Sequence, residues 1–315
     1  MLGCIGAFLA QAASADDTLR LGLIAFGTGA WEVDVMRRHG LDKAAGLRID
    51  KIDLADPAAA EIALQAGAVD AILSDWLWVS RQRNAGQRIV FVPHSTLLGE
   101  VMVPNNSPIA SFAGLAGKRL GVAGGPLDKS WLLLRAYARR KTGRDLAEQV
   151  EPVFAAPPLL SQELVHGRLD AVLTFWPFAA RLEALGFRRL VSMEEVMGDL
   201  GFSPPAPMLG YAFSETWVSA HGEAARRFLL AASQADKLMG DDAEWEALKP
   251  LIGAPDDATL AALRRRFQAG IVIDPAGAAA AAARLYALLA EIGGPGLTGG
   301  APAIAPGTFW QGGPS

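Results

Sequence analysis

Apolar and polar positions in this chain of 315 residues alternate in blocks, and the blocks recur in a fixed order. Residues 19–26 are an apolar run that ends in Gly27-Thr28-Gly29, which predicts a buried strand and a loop. Residues 31–38 have helical spacing, and Gly40 closes them as a C′ glycine. Residues 47–54 alternate and predict a second strand. Asp56-Pro57 pairs an N-cap with proline at the first helical position, so a helix starts there. It runs to Ala66, Gly67 stops it, and residues 69–73 predict a short buried strand. Strands and helices in this order imply a parallel, doubly wound sheet. The second half repeats the scheme. A strand at 118–123 leads through Gly124-Gly125-Pro126 to an amphipathic helix at 129–142 with Gly143 behind it. A strand at 150–154 then precedes a helix opened by Pro157-Pro158 and ended by Gly167, with a strand at 169–173. After a short strand near 210–213, helices are expected at 221–239, 242–248, 256–268 and 275–292.

The repetition extends to single residues. Leu-x-x-Gly-x-x-Asp-Ala-x-Leu-x-x-Trp occurs as Leu64, Gly67, Asp70, Ala71, Leu73, Trp76 and, 100 positions later, as Leu164, Gly167, Asp170, Ala171, Leu173, Trp176. Arg20-Leu21-Gly22 before Trp31 is echoed by Arg119-Leu120-Gly121 before Trp131. A period this long is too large for a solenoid unit and points to two similar α/β lobes. The expected division is a leader at 1–15, a first lobe from 16–99 plus 206–292 that carries the C-terminal helices, and a second lobe at 100–205. A Gly/Pro-rich extended tail follows at 293–315. Two crossings between lobes, near 97–103 and 205–211, would make a hinge.

Composition narrows the function. Hydrophobic residues at 51% and charged residues at 20% describe a globular chain. A net charge of −4 without long runs of one sign argues against a nucleic-acid partner. Cys4 is the single cysteine, and His39, His94, His166 and His221 are scattered, so no metal site is expected. Gly-x-Gly-x-x-Gly fails because Glu32 and Leu127 occupy the third glycine positions, and no Walker-type motif is present. No nucleotide cofactor, and no other cofactor, is expected. Gly-x-Ser-x-Gly is also missing, and no catalytic residues are assigned. The first fifteen residues combine an apolar run with Ala13-Ser14-Ala15, a small-x-small site before Asp16-Asp17. They resemble the later part of a secretory signal, so export and a mature start near Asp16 are expected. Leu2-Gly3-Cys4 leaves a lipid anchor open should the true start lie upstream of Met1.

In open parallel sheets, ligands bind beyond the carboxyl ends of the strands. Four loops meet that condition, at 27–31, 74–78, 124–131 and 174–178. Trp31, Trp76, Trp78, Trp131 and Trp176 fall in or beside them. Each could equally be core, but their coincidence with the loops favours a tryptophan-lined cleft for a small molecule. Trp76 and Trp176, at equivalent positions, are expected to face each other across the ligand. The glycine loops with Thr28 and Gly125 precede helices whose free N–H groups can accept an anionic oxygen. Lys129 and Ser130 could supply a cation and a hydroxyl. Asp75 and Asp128, with Ser74 beside them, could instead take an amine. Capping and solvation are the alternatives for these residues. Ligand charge stays open. Asp70 and Asp170, at the opposite strand ends, are expected to be turn and lobe-packing residues.

These segments carry a family resemblance. Ala63-Leu64-Gln65-Ala66-Gly67-Ala68-Val69-Asp70-Ala71, Leu115-Ala116-Gly117-Lys118-Arg119-Leu120-Gly121-Val122 and residues 164–171 with Trp176-Pro177 resemble periplasmic substrate-binding proteins of the nitrate/sulfonate/taurine class, which includes thiamine-pyrimidine binders. Gly40-Leu41 and Gly46-Leu47 share the likeness, which spans about residues 19 to 235. It implies a type II periplasmic-binding fold with two lobes, parallel-rich sheets and an interlobe cleft. It also implies delivery of a small organic ligand to the permease and ATPase of an ABC importer, by a monomer in the periplasm. The family's ligand loops fall on Gly27 to Trp31, Ser74 to Trp76, Gly124 to Trp131, and Phe175-Trp176, with Thr28, Trp31, Ser74, Asp75, Trp76, Gly125, Asp128, Lys129, Ser130, Trp131, Phe175 and Trp176 as the candidate contacts. The competing reading is an enzyme on the same fold, acting on a thiamine-pyrimidine-like or aromatic precursor with Asp75 as acid/base. A third is a ligand-sensing partner of a membrane receptor.

Overall fold

The computed structural model describes residues 17–203, 205–271, 277–298 and 300–312. The expected leader with Cys4 lies outside the described residues. Ten strands are formed among the described residues: β1 (Asp17–Ile24), β2 (Leu47–Leu54), β3 (Ala71–Asp75), β4 (Ile89–Ser95), β5 (Gly99–Val103), β6 (Arg119–Ala123), β7 (Glu151–Ala155), β8 (Ala171–Phe175), β9 (Arg188–Ser192) and β10 (Leu209–Ser214). They build two five-stranded sheets of order β2-β1-β3-β10-β4 and β7-β6-β8-β5-β9. The orders match position for position, so the repeated sequence is a repeated topology.

Each sheet is mixed. β1 runs parallel to β2 and β3, and β6 runs parallel to β7 and β8. β10 lies antiparallel between β3 and β4, and β5 antiparallel between β8 and β9. The parallel strands expected from element order are present in each lobe, with one antiparallel strand inserted among them. β5 is the strand with which the chain enters the second sheet, and β10 the strand with which it returns. β5 follows β4 with no helix between them, and β10 follows β9 after the helix Met193–Asp199; antiparallel pairing needs no crossover helix.

Local chemistry explains the boundaries. Asp56 Oδ1 accepts the N–H of Ala59 at 2.8 Å, with Pro57 behind it, and opens the helix Pro57–Gln65. Gly67 and Gly167 both adopt positive φ, +68° and +69°, where a side chain would be strained. The strands following them begin two residues later than the hydrophobic pattern suggests. Consequently Trp76 and Trp176 are not loop residues but the first residues of the helices Trp76–Asn84 and Trp176–Ala184. Asp70 Oδ2 accepts from Arg20 N and Nε, and Asp170 Oδ2 accepts from Arg119 N. These two aspartates tie the start of one strand to its neighbour, as expected of lobe-packing residues.

The C-terminal helices touch both lobes instead of the first alone. Asp257–Gly270 packs on Trp176–Ala184 of the second lobe, while Ala278–Thr298 packs on both Trp76–Asn84 and Lys129–Thr142. Arg266 clamps Glu100 of β5 through two contacts of 2.8 Å, beside the crossing. The last helix runs to Thr298, into the segment expected as an extended tail, and residues 305–310 lie on the outer edge of β4. There Phe91 N donates to Thr308 O, Trp310 N donates to Phe91 O, and Ala305 N reaches Ser80 Oγ. That docking covers an otherwise open sheet edge. Among the described residues no helix is long and apolar enough to cross a membrane.

Candidate ligand site between the lobes

The carboxyl ends of β1, β3, β6 and β8 face one another across a cleft with two connected chambers. The inner chamber encloses about 150 Å³ and the outer about 740 Å³; Phe26, Pro57, Glu61, Asp75, Lys129 and Phe175 line both. Apolar surface dominates the inner walls, from Leu23, Leu73 and Leu209 on one side and Leu98, Trp176 and Phe178 on the other.

The sequence candidates divide clearly. Thr28, Ser74, Ser130 and Trp176 line the inner chamber, Gly125 and Asp128 the outer, and Asp75, Lys129 and Phe175 both. Trp31, Trp76 and Trp131 line neither chamber and are at most 5% exposed. Trp31 packs edge-on to Trp176 and Trp245, each at 5.9 Å. Trp76 donates its indole N–H to Pro207 O at 3.0 Å and lies 6.5 Å from Tyr286. Trp131 meets Phe154 at 6.1 Å. The expectation that Trp76 and Trp176 face each other across a ligand is therefore corrected. As the first residue of a helix, Trp76 turns back onto the Ala278–Thr298 helix, whose position the repeat could not reveal. Trp78, 4% exposed, borders the outer chamber.

The polar groups form one cluster across the cleft. Lys129, from the second lobe, places Nζ 3.6 Å from Asp75 Oδ2 of the first. Burial opposes the charge of Lys129, but Asp75, Asp128 and Glu61 outweigh it and raise its pKa, so it remains an ammonium. Asp75 Oδ1 also caps its helix by accepting the N–H of Trp78 at 2.8 Å. Asp128 Oδ1 accepts from Ser130 N at 2.8 Å and Trp131 N at 3.4 Å. Burial raises the pKa of Asp128, although Lys129 and these two donors work the other way. Two helix N-termini at the cleft are thus occupied by their own aspartates. The helices starting at Gly29 and Trp176 have no side-chain cap, but Trp176 N already donates to Leu98 O at 3.1 Å and Pro177 has no N–H, so the N-terminus at Gly29 remains the place for an oxygen acceptor.

Sequence reasoning missed Glu61 and Phe26, and met Phe178 only as the end of a candidate loop. Burial, then the charge of Asp75, push Glu61 up to about 7. Phe26 and Phe178 meet edge-on across the cleft at 5.9 Å. Glu61 was legible in principle, because it stands four residues after Pro57, on the helix face that Pro57 shows to the cleft. Attention to loops alone passed it over. A second buried cluster lies inside the first lobe. His94 Nε2 is 3.1 Å from Glu32 Oε1, His94 Nδ1 is 3.8 Å from Asp236 Oδ2, and Tyr211 donates its hydroxyl to Glu32 at 2.8 Å. Burial works against a charged His94, yet Glu32 and then Asp236 raise it to about 9. None of these residues lines either chamber.

A two-lobed α/β molecule with its cavity between the lobes defines the class: a type II periplasmic-binding-protein fold. Residues 35–244 match the family model described as NMT1/THI5 like, and the chain belongs to that family. No curated protein sequence matches it. Among solved structures it resembles the alkanesulfonate-binding protein SsuA from Xanthomonas axonopodis pv. citri bound to MOPS. Identity there is 18%, coverage 94% of this chain and 99% of that one, and TM-score 0.73. The periplasmic aliphatic sulphonate binding protein SsuA from Escherichia coli is 20% identical over 94% of this chain and 92% of its own, with TM-score 0.73. A ligand-binding component of an ABC-type import system from Staphylococcus aureus, with zinc bound, is 14% identical over 93% and 96%, with TM-score 0.68.

Proposed function

We propose that this protein is an exported solute-binding protein of an ABC importer. It captures a small organic molecule between its lobes and presents the closed form to a permease and its ATPase. The observation that carries this reading is the construction of the cavity. Both lobes supply its walls, and two contacts span it, Phe26 with Phe178 and Asp75 with Lys129. A ligand there touches both lobes at once, so its binding energy favours the closed arrangement over the open one. Family membership and the binding proteins of similar fold support the same reading.

Thr28, Ser74, Ser130, Asp75, Lys129, Phe175 and Trp176 are the proposed ligand contacts, together with Glu61, Phe26 and Phe178. Gly125 and Asp128 would border the entrance. Apolar and aromatic walls supply affinity, and the few convergent polar groups fix orientation. An enzyme on this fold would need Asp75 as acid or base, but that carboxylate already caps a helix and pairs with Lys129. None of the four histidines lines either chamber. Periplasmic location follows from the proposed role and the leader sequence, and a monomer suffices for the site, since one chain supplies every wall.

Native mass spectrometry of freshly purified protein tests the proposal, with small-angle scattering before and after ligand removal. A co-purified small molecule is expected, and its loss should expand the particle. Turnover of that molecule, or an unchanged radius with no molecule captured, would defeat the reading.

A further inference from the structure

We propose that Glu61 sets the charge of the ligand: the cleft takes an organic molecule whose polar end carries a protonated nitrogen or N–H donors, and Glu61 receives that end. The inference rests on the solute-binding reading and deepens it.

The charges around the inner chamber carry it. Glu61 and Asp75 line that chamber against one cation, Lys129, which Asp75 already holds at 3.6 Å. The outer chamber adds Asp56 and Asp128 against Arg81. An anion entering the inner chamber would meet two carboxylates and would have to draw Lys129 off Asp75, where partial burial strengthens the repulsion between like charges. An ammonium, amidinium or amine meets the opposite situation, since Glu61 stands ready as acceptor. The helix ends do not reverse this balance, because Asp56, Asp75 and Asp128 cap the helices that open at Pro57, Trp76 and Lys129. Three inner hydroxyls, on Thr28, Ser74 and Ser130, can serve either kind of ligand.

Proton linkage gives the inference a distinctive readout. Glu61 is held at about 7 by burial first, then by Asp75, with Arg81 and Lys129 opposing and Asp56 adding to the rise. Near neutral pH the carboxyl is therefore partly protonated. A cationic end favours its ionised form, so binding releases a proton and tightens as pH rises through 7. An anionic ligand would do the reverse and take up a proton.

Ring-matched probes test this on the full chain: benzamidinium and benzylammonium against benzenesulfonate and benzoate. Calorimetric titration at pH 6 and pH 8, each in two buffers that hold that pH and differ in ionisation enthalpy, reads affinity and protons exchanged. The cations are expected to bind, with affinity rising up to about ten-fold from pH 6 to pH 8 and release of a fraction of a proton. Glu61→Gln should abolish the proton release and the pH dependence while its melting temperature stays near that of the parent. Glu61→Asp should retain the release at weaker affinity, which separates loss of the carboxylate from loss of the fold. Binding of the sulfonate or benzoate in preference, proton uptake, or pH dependence that survives in Glu61→Gln would overturn the inference and leave the solute-binding reading intact. Should no probe bind, the molecule captured in native mass spectrometry decides: an anion overturns the inference, and a nitrogen cation or N–H donor supports it. Capture of nothing at all would end the solute-binding reading and this inference with it.

Discussion

The two copies of the repeated motif follow the same path and end in different chemistry. In the first lobe β3 finishes in Ser74-Asp75, and Asp75 caps the next helix and holds Lys129 across the cleft. In the second, β8 finishes in Thr174-Phe175, the next helix has no side-chain cap, and Phe175 presents an apolar wall to both chambers. The tryptophan that follows differs as well. Trp76 is fully buried against Tyr286 and the Pro207 carbonyl, whereas Trp176 borders the cavity while packing on Trp31 and Phe267. A duplicated scaffold thus yields a polar strand end in one lobe and an apolar strand end in the other. That is the asymmetry a site needs for a molecule with unlike ends.

Truncating the two tryptophans should break the equivalence most sharply. Trp76→Ala is expected to cost about 3–5 kcal/mol of stability, as large aromatic deletions in packed cores do. Its folded fraction should bind with affinity close to that of the parent. Trp176→Ala should lose less stability and weaken binding by more than about 1 kcal/mol. Chemical denaturation and ligand titration of both variants measure this, and equal effects on binding would show that the cavity is lined symmetrically after all.

The polar wall is tested next. Lys129→Met leaves Asp75 with its cap but without its cation, in a cleft that already holds Glu61. We expect a loss of up to about 3 kcal/mol, toward the low end for a broken buried pair because both groups retain some exposure. Small-angle scattering should also show a more open average shape. A variant as stable and compact as the parent would mean that the ion pair contributes nothing to lobe contact.

A third difference concerns pH. The Glu32, His94 and Asp236 group lies in the first lobe, and among the described residues no second group of this kind occurs. His94 is raised from 6.5 to about 9, so its contribution to stability is fully present below pH 6.5 and is lost as pH rises through 9. Burial, then Glu32, also raise Asp236. The folded state therefore keeps a proton that the unfolded chain gives up, which again lowers stability as pH rises. Melting temperature should fall between pH 6.5 and 9, and His94→Asn should flatten that fall. A flat profile in the parent would show that the triad does not hold its protons on folding.

The smallest contrast is expected at Asp70 and Asp170. Asp70, with a side chain 7% exposed, takes both Arg20 Nη2 at 2.5 Å and Nε at 3.0 Å. Asp170 is exposed and takes the Arg119 backbone N–H. Asp70→Ala should cost about 1–3 kcal/mol and Asp170→Ala about 1 kcal/mol or less, since charge-assisted bonds to buried groups count for more. Comparing the two melting curves checks the order.

Local signals were sufficient for much of this molecule. Asp56-Pro57, Gly67, Gly143 and Gly167 marked helix ends because capping and positive φ are properties of single residues and their neighbours. The paired motifs carried the two-lobe α/β architecture, and the strand ends located the loops of the cleft, including Thr28, Ser74, Asp75, Lys129 and Ser130. Tertiary structure alone decided which side chains at those loops face inward. Trp31, Trp76 and Trp131 resemble Trp176 in sequence, but the first three are covered by residues that lie elsewhere along the chain, among them Trp245, Tyr286 and Phe154. The antiparallel β5 and β10, the Asp75–Lys129 pair and the poised Glu61 depend in the same way on segments that meet only after folding. Periodicity and capping report the backbone because they act over a few residues. Burial, ion pairing and a shifted pKa are set by neighbours that the linear order does not name.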